Sequence, residues 1–435
     1  MKRDVKLYLQ DIWESILAIE EYTGALAEED FYSNRQVQDA VVRRLEIIGE
    51  AVKNIDESVK SKYPLMKIGI IGGGQLGKMM AQKAKKMGFH ISVLDPSSKC
   101  PAATLADEII VGSFYDKKKI TQLVTLSDVT TFDIEHIDTG TLKTLSDTGH
   151  KIFPSPYLLE IIQDKLLQKK VLSENGIPVP EFQNVESPET LSLMKFPFVH
   201  KARKGGYDGR GVVVMKSKSD LQNAIQTESM VEELINFDKE LAIMVARSTS
   251  GEIKTYPVVE MIFDSRANIC DLVIAPARIE KHLAEKATQI AVKSVEALDG
   301  VGIFGVEMFL AGEKIYVNEI APRPHNSGHY TIEACATCQF EQHIRAITGL
   351  PLGSTDLLSP AVMLNLLGDE DYKGKPVIEG LNEALSIPGL SFHFYGKETT
   401  SPFRKMGHVN ILNNNLEAAI QQAEKVKSIL KIKAE

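Results

Sequence analysis

Two stripes of apolar residues run through the first 65 positions with helical spacing. The first consists of Val5, Leu9, Ile12, Ile16 and Ile19. The second consists of Val37, Val41, Leu45, Ile48, Val52 and Ile55. The intervals predict two amphipathic helices, with Gly24 ending the first, Asn34 capping the second and Tyr63-Pro64 ending it. Because their apolar faces need cover, we expect the helices to pack on the main body or on another chain.

From Met66 onward, short apolar runs alternate with helical segments. KIGII at 67–71 precedes a glycine cluster, a helical stretch to about Met87 and a second apolar run, ISVLD, at 91–95. This succession predicts a βαβ unit of a parallel sheet, and residues 106–165 continue it.

Strand-like segments lie closer together between 195 and 320, which predicts an α+β domain with antiparallel sheets. These segments are FPFVHK, VVVM, LAIMVARS, TYPVVEMIF, FGVEMFL and KIYVNEI. After about residue 360 come AVMLNLL, LSFHFYG and HVNIL, and then a predicted helix at 415–430. With 435 residues, the chain is long enough for about three domains.

Composition narrows the class of protein. The chain is 43% hydrophobic and 25% charged, with a net charge of -8 and four cysteines. It has no apolar run long enough to span a membrane and no secretory signal at its start. Its acidity argues against a general nucleic-acid binder, and its few cysteines argue against a disulfide framework. We therefore expect a reduced, cytoplasmic, multidomain protein that binds neither membranes nor nucleic acid.

A glycine cluster, Gly72 to Gly77 (GGGQLG), follows the first strand and opens a helix, with Asp95 ending the next strand. Such glycines allow a tight turn and close approach of a ligand to the backbone. A nicotinamide dinucleotide and another kind of phosphate are both compatible with this pattern, and so is a purely structural turn.

A second glycine-rich segment, GGYDGRG at 205–211, lies between the strand that carries Lys201 and the strand VVVM. Arg203, Lys204 and Arg210 flank or interrupt it. A flexible loop with cations at both ends is suited to closing over polyphosphate. The alternative is an ordinary flexible hairpin.

Two glutamates lie on a predicted hairpin that turns at Ala311–Lys314. Counting outward from the turn places Glu307 opposite Asn318 and Glu319. Adjacent carboxylates repel each other unless a cation lies between them, and hard oxygen ligands suit magnesium. Glutamates on a surface hairpin are the alternative.

The loop after this hairpin, APRPHNSGH at 321–329, concentrates polar side chains on a path restricted by proline and glycine. Arg323 offers two parallel donors for a carboxylate or phosphate, and His325, Asn326 and His329 accompany it. A structural role for one of these residues is plausible, whereas four together indicate a site.

Downstream, Cys335 and Cys338 with His343 resemble part of a zinc site, but a fourth ligand is missing from the pattern. We expect instead that TIEACATCQFEQHIRAI forms a helix with small residues packed inward.

Taken in order, the motifs of residues 66 to about 430 resemble those of the ATP-grasp ligases. Within them they resemble the family of N5-carboxyaminoimidazole ribonucleotide synthetases of purine biosynthesis. The matching segments are IGIIGGGQLGKMM, TFDIEHI, QDKLLQKK, HKARKGGYDGRG, VEELINFDKELAIMVAR, VIAPARI, NEIAPRPHNSGHYTIEAC and YGKETTSPFRKMGHVNIL.

We expect an α/β and α+β chain. The resemblance implies an ATP-grasp fold with a Rossmann-like N-terminal subdomain, and the apolar stripes predict the α-helical hairpin that precedes it. The expected domains are the hairpin at 1–65 and, from the resemblance, a Rossmann-like domain at 66–165, the ATP-grasp domain at 166–360 and a small C-terminal domain at 361–435. The implied reaction is the carboxylation of aminoimidazole ribonucleotide with bicarbonate and ATP, by way of carboxyphosphate. A homodimer is also implied.

The resemblance also assigns roles to individual residues. Arg323, His325 and Asn326 would be catalytic, and Glu307 and Glu319 would bind Mg²⁺, or alternatively Mn²⁺. ATP would contact Lys165, Lys201, Gly206, Tyr207, Asp208, Gly209, Arg210, Gly211, Val212, Glu232, Glu233, Leu234, Ile235, Glu240, Asn318 and Glu319. The nucleotide substrate would contact Gln75, Leu76, Glu135, Tyr207, Arg210, Lys397, Arg404 and Lys405. On this interpretation GGGQLG lines the nucleotide site and does not bind NAD.

Two positions depart from the pattern of the family. Phe263 stands where many members have histidine, and Lys165 where many have arginine. We expect altered ATP affinity and retained activity, because neither residue is a proposed metal ligand.

Residues 1–65 instead resemble the start of HepT-like proteins of the HEPN superfamily, which are helical ribonuclease toxins. The catalytic motif of that family falls later in its sequence, so we expect no ribonuclease activity here. Two alternatives to the carboxylase stay open. One is another ATP-grasp ligase that transfers a formyl group or an amino acid, and the other is an interaction module carried by 1–65.

Overall fold

The computed structural model describes residues 4–24, 26–55, 66–206, 211–264, 266 and 269–435. The chain divides into two units, Met1–Leu65 and Met66–Glu435. Among the described residues, no helix has both the length and the apolar character that a membrane crossing requires.

The N-terminal unit contains three helices: α1 (Val5–Thr23), α2 (Glu28–Ser33) and α3 (Arg35–Asn54). Asn34 caps α3 by accepting a hydrogen bond from the N–H of Val37, as predicted. The short helix α2 was not expected from the apolar pattern.

The predicted stripes of this unit are covered only in part. The small residues Ser15 and Ala51 are buried, whereas Leu9 and Leu45 are more than half exposed. The prediction that α3 extends to Tyr63-Pro64 concerns residues outside the described part, and α3 itself ends at Asn54.

The second unit begins with a parallel sheet of four strands in the order β3-β2-β1-β4. Its strands are β1 (Lys67–Ile71), β2 (His90–Asp95), β3 (Glu108–Val111) and β4 (Val129–Phe132). The helices of this region are α4 (Gln75–Lys86), α5 (Lys117–Leu126), α6 (Thr139–Asp147), α7 (Pro156–Gln163) and α8 (Lys165–Glu174). Strands buried on both faces are typical of parallel sheets, and the predicted βαβ unit is confirmed.

A small antiparallel sheet follows, in the order β5-β8-β6-β7. It is built from β5 (Phe182–Val185), β6 (Phe198–Ala202), β7 (Val212–Met215) and β8 (Ser229–Glu233). The segment that joins β6 to β7 contains the predicted glycine-rich flap. Short 3₁₀ helices lie at Pro188–Leu193 and Lys218–Asn223.

The largest sheet has nine strands, in the order β14-β13-β9-β11-β12-β15-β18-β17, with β10 paired to β9. The strands are β9 (Lys239–Arg247), β10 (Ile253–Thr255), β11 (Val259–Asp264), β12 (Ile269–Ala275), β13 (Gly302–Ala311), β14 (Lys314–Ala321), β15 (Ala361–Leu367), β17 (Leu390–Phe394) and β18 (Lys405–Leu412). β16 (Pro376–Glu379) pairs with β19 (Lys431–Ala434). The helices are α9 (Lys281–Ala297), α10 (Thr331–Ala334), α11 (Gln339–Thr348), α12 (Leu381–Leu385) and α13 (Leu416–Ile429).

Two predicted elements are each divided in the structure. TYPVVEMIF forms β10 and β11 with Tyr256–Val258 between them, because Pro257 has no N–H to donate to a ladder. The helix expected over 331–347 is divided into α10 and α11. There the hydroxyl of Thr331 accepts a hydrogen bond from the N–H of Gln339 at 3.0 Å and caps the first turn of α11.

Candidate active site

A cleft of about 600 Å³ is lined by the four-stranded antiparallel sheet, by the nine-stranded sheet and by the loops that follow β4 and β14. The predicted site residues that line it are Glu135, Lys165, Lys201, Gly206, Val212, Glu232, Glu233, Leu234, Ile235, Glu240, Glu307, Asn318, Glu319, Arg323, His325, Asn326 and Lys405. The structure therefore brings together residues that lie up to 270 positions apart in the chain.

The two predicted carboxylates face each other across the β13–β14 hairpin. Glu307 pairs with Glu319, and the register then shifts so that Met308 pairs with Val317. The register counted from the turn is thus confirmed, and Asn318 is the extra residue of a β-bulge. Because the bulge interrupts the alternation of β14, Asn318 and Glu319 both line the cleft.

Charged neighbours distinguish these carboxylates. The Lys165 ammonium forms an ion pair with Glu319 and holds the pKa of that carboxyl below its ordinary value. Burial raises the pKa of Glu307, and the negative charge of Glu319 adds to the rise. His325 Nε2 lies 3.4 Å from Glu307 Oε1. A buried carboxyl that resists ionisation beside an ionised one is an arrangement that a cation would stabilise.

In the described part of the chain, no three His, Cys, Asp or Glu side chains converge as a metal site. The pair Glu307 and Glu319 therefore supplies two carboxylates, and further oxygen donors would have to come from elsewhere. Asn318 is adjacent, and phosphate oxygens are the usual partners of Mg²⁺ in such sites. The donor set suits a hard divalent cation that arrives with a polyphosphate.

Three charged residues form a buried group behind the carboxylates. Lys201 Nζ lies 2.7 Å from Glu232 Oε2 and donates to Asn318 Oδ1 at 3.0 Å. Lys169 Nζ lies 3.4 Å from Glu232 Oε1 and donates to the carbonyl of Val317 at 2.9 Å. Burial lowers the pKa of Lys169 to about 8. Lys169 was not predicted, although its position one helical turn after Lys165 was the available signal.

Aromatic side chains form an apolar part of the cleft lining. The rings of Phe237 and Phe309 stack with centroids 4.7 Å apart, and Phe263 is also part of the lining. Burial raises the pKa of Glu240, nearby on β9, to about 7. Aromatic rings can pack against a base, and a carboxylate can accept from ribose hydroxyls, so this part of the cleft is suited to a nucleoside. The stacked phenylalanines were not predicted, because they become neighbours only through sheet pairing.

The glycine-rich flap is described only at its ends. Gly206 and Val212 line the cleft, and the carbonyl of Gly211 accepts from the N–H of Ala202 at 2.8 Å. Gly211 has φ of +73°, which favours glycine, and it is not among the lining residues. The predicted contacts at Tyr207, Asp208, Gly209 and Arg210 lie outside the described residues.

In the loop after β14, Arg323, His325 and Asn326 line the cleft, whereas His329 is buried and is not among the lining residues. Arg323 Nε lies 2.9 Å from Glu135 Oε1. Gln339 accepts from the N–H of His325 and donates to its carbonyl, both at 2.8 Å. Asn326 exchanges two hydrogen bonds with Asn365. The two amides that hold this loop were not predicted.

The glycine cluster after β1 is occupied by the chain's own carboxylates. Asp95 accepts from the N–H of Gly73 at 2.9 Å, and Asp133 accepts from the N–H of Gly77 at 3.0 Å. Burial raises the pKa of Asp133 to about 6. A Cβ on Gly72 would lie 1.7 Å from Asp133 Oδ1. These contacts use N–H groups that would otherwise bind a dinucleotide phosphate.

Several predicted substrate contacts do not line the cleft. Leu76 is buried in the core beneath the parallel sheet, and Gln75 begins α4. Lys397 donates to the carbonyl of Lys405 at 2.6 Å, and Arg404 donates to the carbonyl of Thr399 at 2.7 Å. Of the three C-terminal cations, Lys405 alone is among the lining residues.

The cysteine motif is part of the core. Cys335 and Cys338 are buried free thiols. One ring nitrogen of His343 is 2.7 Å from the hydroxyl of Thr131, and the other accepts from the N–H of Ile303 at 3.1 Å. Both nitrogens of this histidine therefore have structural partners.

Four family models match the chain. They are a ribonucleotide synthetase preATP-grasp domain at 65–163, an ATP-grasp domain at 170–340, a phosphoribosylaminoimidazole carboxylase C-terminal domain at 361–422 and a ribonuclease HepT-like model at 12–69.

Curated relatives and solved structures agree with these matches. The N5-carboxyaminoimidazole ribonucleotide synthase of Bacillus subtilis is 41% identical, over 83% of this chain and 95% of its own length. The Synechococcus elongatus protein of the same name is 41% identical, over 80% and 90%. A crystal structure of the Thermotoga maritima synthetase is 59% identical, with a TM-score of 0.81 over 85% of this chain and all of its own. A structure from Aspergillus clavatus, in complex with ADP and 5-aminoimidazole ribonucleotide, is 35% identical, with a TM-score of 0.77 over 83% and 98%.

Proposed function

The chain belongs to the family of N5-carboxyaminoimidazole ribonucleotide synthases, and on that basis we propose how its cleft performs the reaction. The enzyme is an ATP-grasp ligase that carboxylates 5-aminoimidazole ribonucleotide in purine biosynthesis, with ATP as the energy source. The observation that carries the residue assignments is the convergence of Glu307, Glu319, Lys201 and Arg323 on one cleft.

We assign the nucleotide end of the cleft to ATP. Backbone groups of 232–235 contact the adenine, Glu240 accepts from the ribose hydroxyls, and Lys165 and Lys201 contact the phosphates. Glu307 and Glu319 would hold Mg²⁺, or Mn²⁺, whose charge would neutralise the phosphate oxygens. When the polyphosphate arrives, Lys165 exchanges Glu319 for a phosphate oxygen.

We assign the other end to bicarbonate and the amine. A bicarbonate oxygen attacks the γ-phosphorus of ATP, the bond to the β-phosphate oxygen breaks, and ADP and carboxyphosphate form. The exocyclic amine then attacks the carboxyphosphate carbon, loses a proton and releases phosphate. Arg323, His325 and Asn326 stabilise the negative charge that develops on the transferred group.

The nucleotide substrate lies between the glycine cluster and the C-terminal strands. Gln75, Leu76, Glu135, Tyr207, Arg210, Lys397, Arg404 and Lys405 are its proposed contacts. Because the side chain of Leu76 is buried in the core, its contribution would come from the backbone N–H at the start of α4. A 5′-phosphate would replace the backbone carbonyls that Lys397 and Arg404 now contact.

Carboxyphosphate is quickly lost to water, so the reaction requires a closed site. The 206–212 flap is the proposed cover. The N–H of Ala202 on β6 donates to the carbonyl of Gly211 and holds the C-terminal end of the flap. The middle of the flap would supply the proposed contacts of Tyr207 to Arg210.

The test is an ADP-release assay with bicarbonate and 5-aminoimidazole ribonucleotide varied independently. We expect release to require both. Release that is insensitive to the ribonucleotide would reject the proposal, and formate or amino acids tested in place of bicarbonate would reveal a different ligase.

The titration of Glu240 predicts a pH dependence of ATP binding. Its pKa is raised to about 7, so the carboxyl gains a proton as the pH falls below 7 and then accepts weakly from ribose. We expect the KM for ATP to rise by up to about tenfold between pH 8 and pH 6, following the ionised fraction. Glu240→Gln cannot ionise and should bind weakly at both pH values. The variant also corrects for the titration of ATP itself, because that titration affects both proteins equally. If the KM for ATP depended on pH in the same way in the variant and the wild type, the assignment of Glu240 to the ribose would be contradicted.

We propose that residues 1–65 take no part in the reaction. Support comes from the division of the chain at residue 65 and from the separate HepT-like match. A chain that starts at Met66 should keep its kcat within about twofold, because every residue assigned above lies after residue 65. The mass of both forms in solution shows whether the segment mediates association, and a large loss of turnover would make it part of the enzyme.

The remaining assignments are also proposals. We place the domains at 66–165, 166–360 and 361–435, close to the three matched ranges. We propose a cytoplasmic homodimer, which a mass measurement of the purified enzyme would test.

A further inference from the structure

Asn326 is held by a second asparagine from a distant part of the chain. Asn326 Nδ2 donates to Asn365 Oδ1, and Asn365 Nδ2 donates to Asn326 Oδ1, both at 2.8 Å. Asn365 lies on β15, is 4% exposed and also donates from Nδ2 to the carbonyl of Cys270 at 2.8 Å. The two side chains thus form a closed amide pair that is tied to the backbone of β12.

These three contacts determine which way each amide points. Both hydrogens of Asn365 Nδ2 are used, one by Cys270 and one by Asn326. If the amide of Asn365 were reversed, its oxygen would face the carbonyl oxygen of Cys270, and two acceptors would meet. Since Asn365 cannot turn, Asn326 must direct Nδ2 toward Asn365 Oδ1 and retains one N–H for another acceptor.

Asn326 also lines the cleft next to Arg323 and His325. The loop that carries Asn326 follows β14, at one edge of the large sheet. Asn365 lies on β15, which is separated from β14 by four strands in the order of that sheet. The amide pair therefore connects the loop that carries Asn326 with strand β15 of the C-terminal segment.

We propose that Asn365 is a positioning residue that orients the amide of Asn326, so that one N–H points to the transferred carboxyl group. The inference rests on the proposed function, in which Asn326 stabilises that group. Asn365 itself does not contact substrate; it acts through Asn326.

The experiment compares single and double variants in the ADP-release assay. Asn365→Ala should lower kcat about tenfold, as is common when the partner of an active-site group is removed. The KM for ATP should change by less than about twofold, because the adenine and phosphate contacts are elsewhere. When Asn326→Ala is already present, adding Asn365→Ala should lower kcat almost no further. Equal losses in both backgrounds would overturn the proposal.

A buried amide with no role in the cleft provides the control. Gln342 is fully buried, donates to the carbonyl of Gly353 at 2.9 Å and accepts from its N–H at 2.8 Å. Gln342→Ala should lower the Tm to a similar extent while leaving kcat unchanged. If kcat falls equally in both variants, the effect of Asn365 is one of stability and the proposal fails.

A crystal structure of Asn365→Ala gives a result that does not depend on the reaction. Asn326 should lose its single orientation in that structure, and an unchanged Asn326 would overturn the proposal. If Asn365→Ala does not fold, Asn365→Ser, which keeps a small polar side chain and also removes the amide, takes its place in both experiments. If the wild-type enzyme shows no ribonucleotide-dependent ADP release, the proposed function is rejected. The positioning role of Asn365 is still decided by the crystal structure of the variant.

Discussion

Glu319→Gln should lower ribonucleotide-dependent ADP release by about 10³-fold, the scale expected when a group that neutralises phosphoryl charge is removed. Glu319 is one of two carboxylates across the hairpin and the one that Lys165 keeps ionised. The amide retains the size of the side chain and removes its charge. Paramagnetic resonance of added Mn²⁺ should show weaker binding in the same variant, which separates loss of the metal from misfolding.

Glu313→Gln is the matched control for this variant. Glu313 lies on the turn of the same hairpin, with a side chain that is 75% exposed and 3.0 Å from His282. Its removal should leave ADP release and Mn²⁺ binding at the wild-type level. An active Glu319→Gln enzyme would show that the metal is held elsewhere.

Glu232→Gln should reduce the free energy of unfolding by roughly 3–5 kcal/mol, the usual cost of breaking a buried ion pair from one side. The Glu232 and Lys169 side chains are each 2% exposed, and Lys201 is 11% exposed. Without the carboxylate, two ammonium groups remain buried without their main counter-charge. Urea unfolding followed by circular dichroism measures the loss.

The same variant has a predictable response to pH. Burial already depresses the pKa of Lys169 to about 8, and removal of Glu232 depresses it further. A lysine that binds its proton less tightly in the folded state makes the folded state more stable as pH rises. The difference in free energy of unfolding between variant and wild type should therefore be smaller at pH 9 than at pH 7. Glu233→Gln, at the exposed next position of β8, should unfold as wild type does at both pH values.

Patterns that act over short distances along the chain were predicted well. The βαβ unit, most strands of the large sheet and the pairing of Glu307 with Glu319 follow from alternation and from the length of one turn. The break at Cys335–Cys338 was missed, because helical periodicity continues through it while the hydroxyl of Thr331 caps a new helix.

Contacts between distant segments could not be predicted from such patterns. The glycine cluster left dinucleotide and other phosphate ligands open, and the structure shows its N–H groups bonded to Asp95 and Asp133. The second of these is 56 residues from its partner. Likewise, nothing in the sequence around Asn365 indicates that it pairs with Asn326, 39 positions earlier.

The bulge at Asn318 has a consequence for how this protein tolerates changes in length. On a regular strand, consecutive side chains alternate between faces, so deleting Asn318 would restore the alternation and turn neighbouring positions to opposite sides. Insertions at Gly312, at the tip of the hairpin, lengthen only the connection. Among natural variants, insertions and deletions should therefore be found at the hairpin tip and be absent from the six residues that follow Lys314.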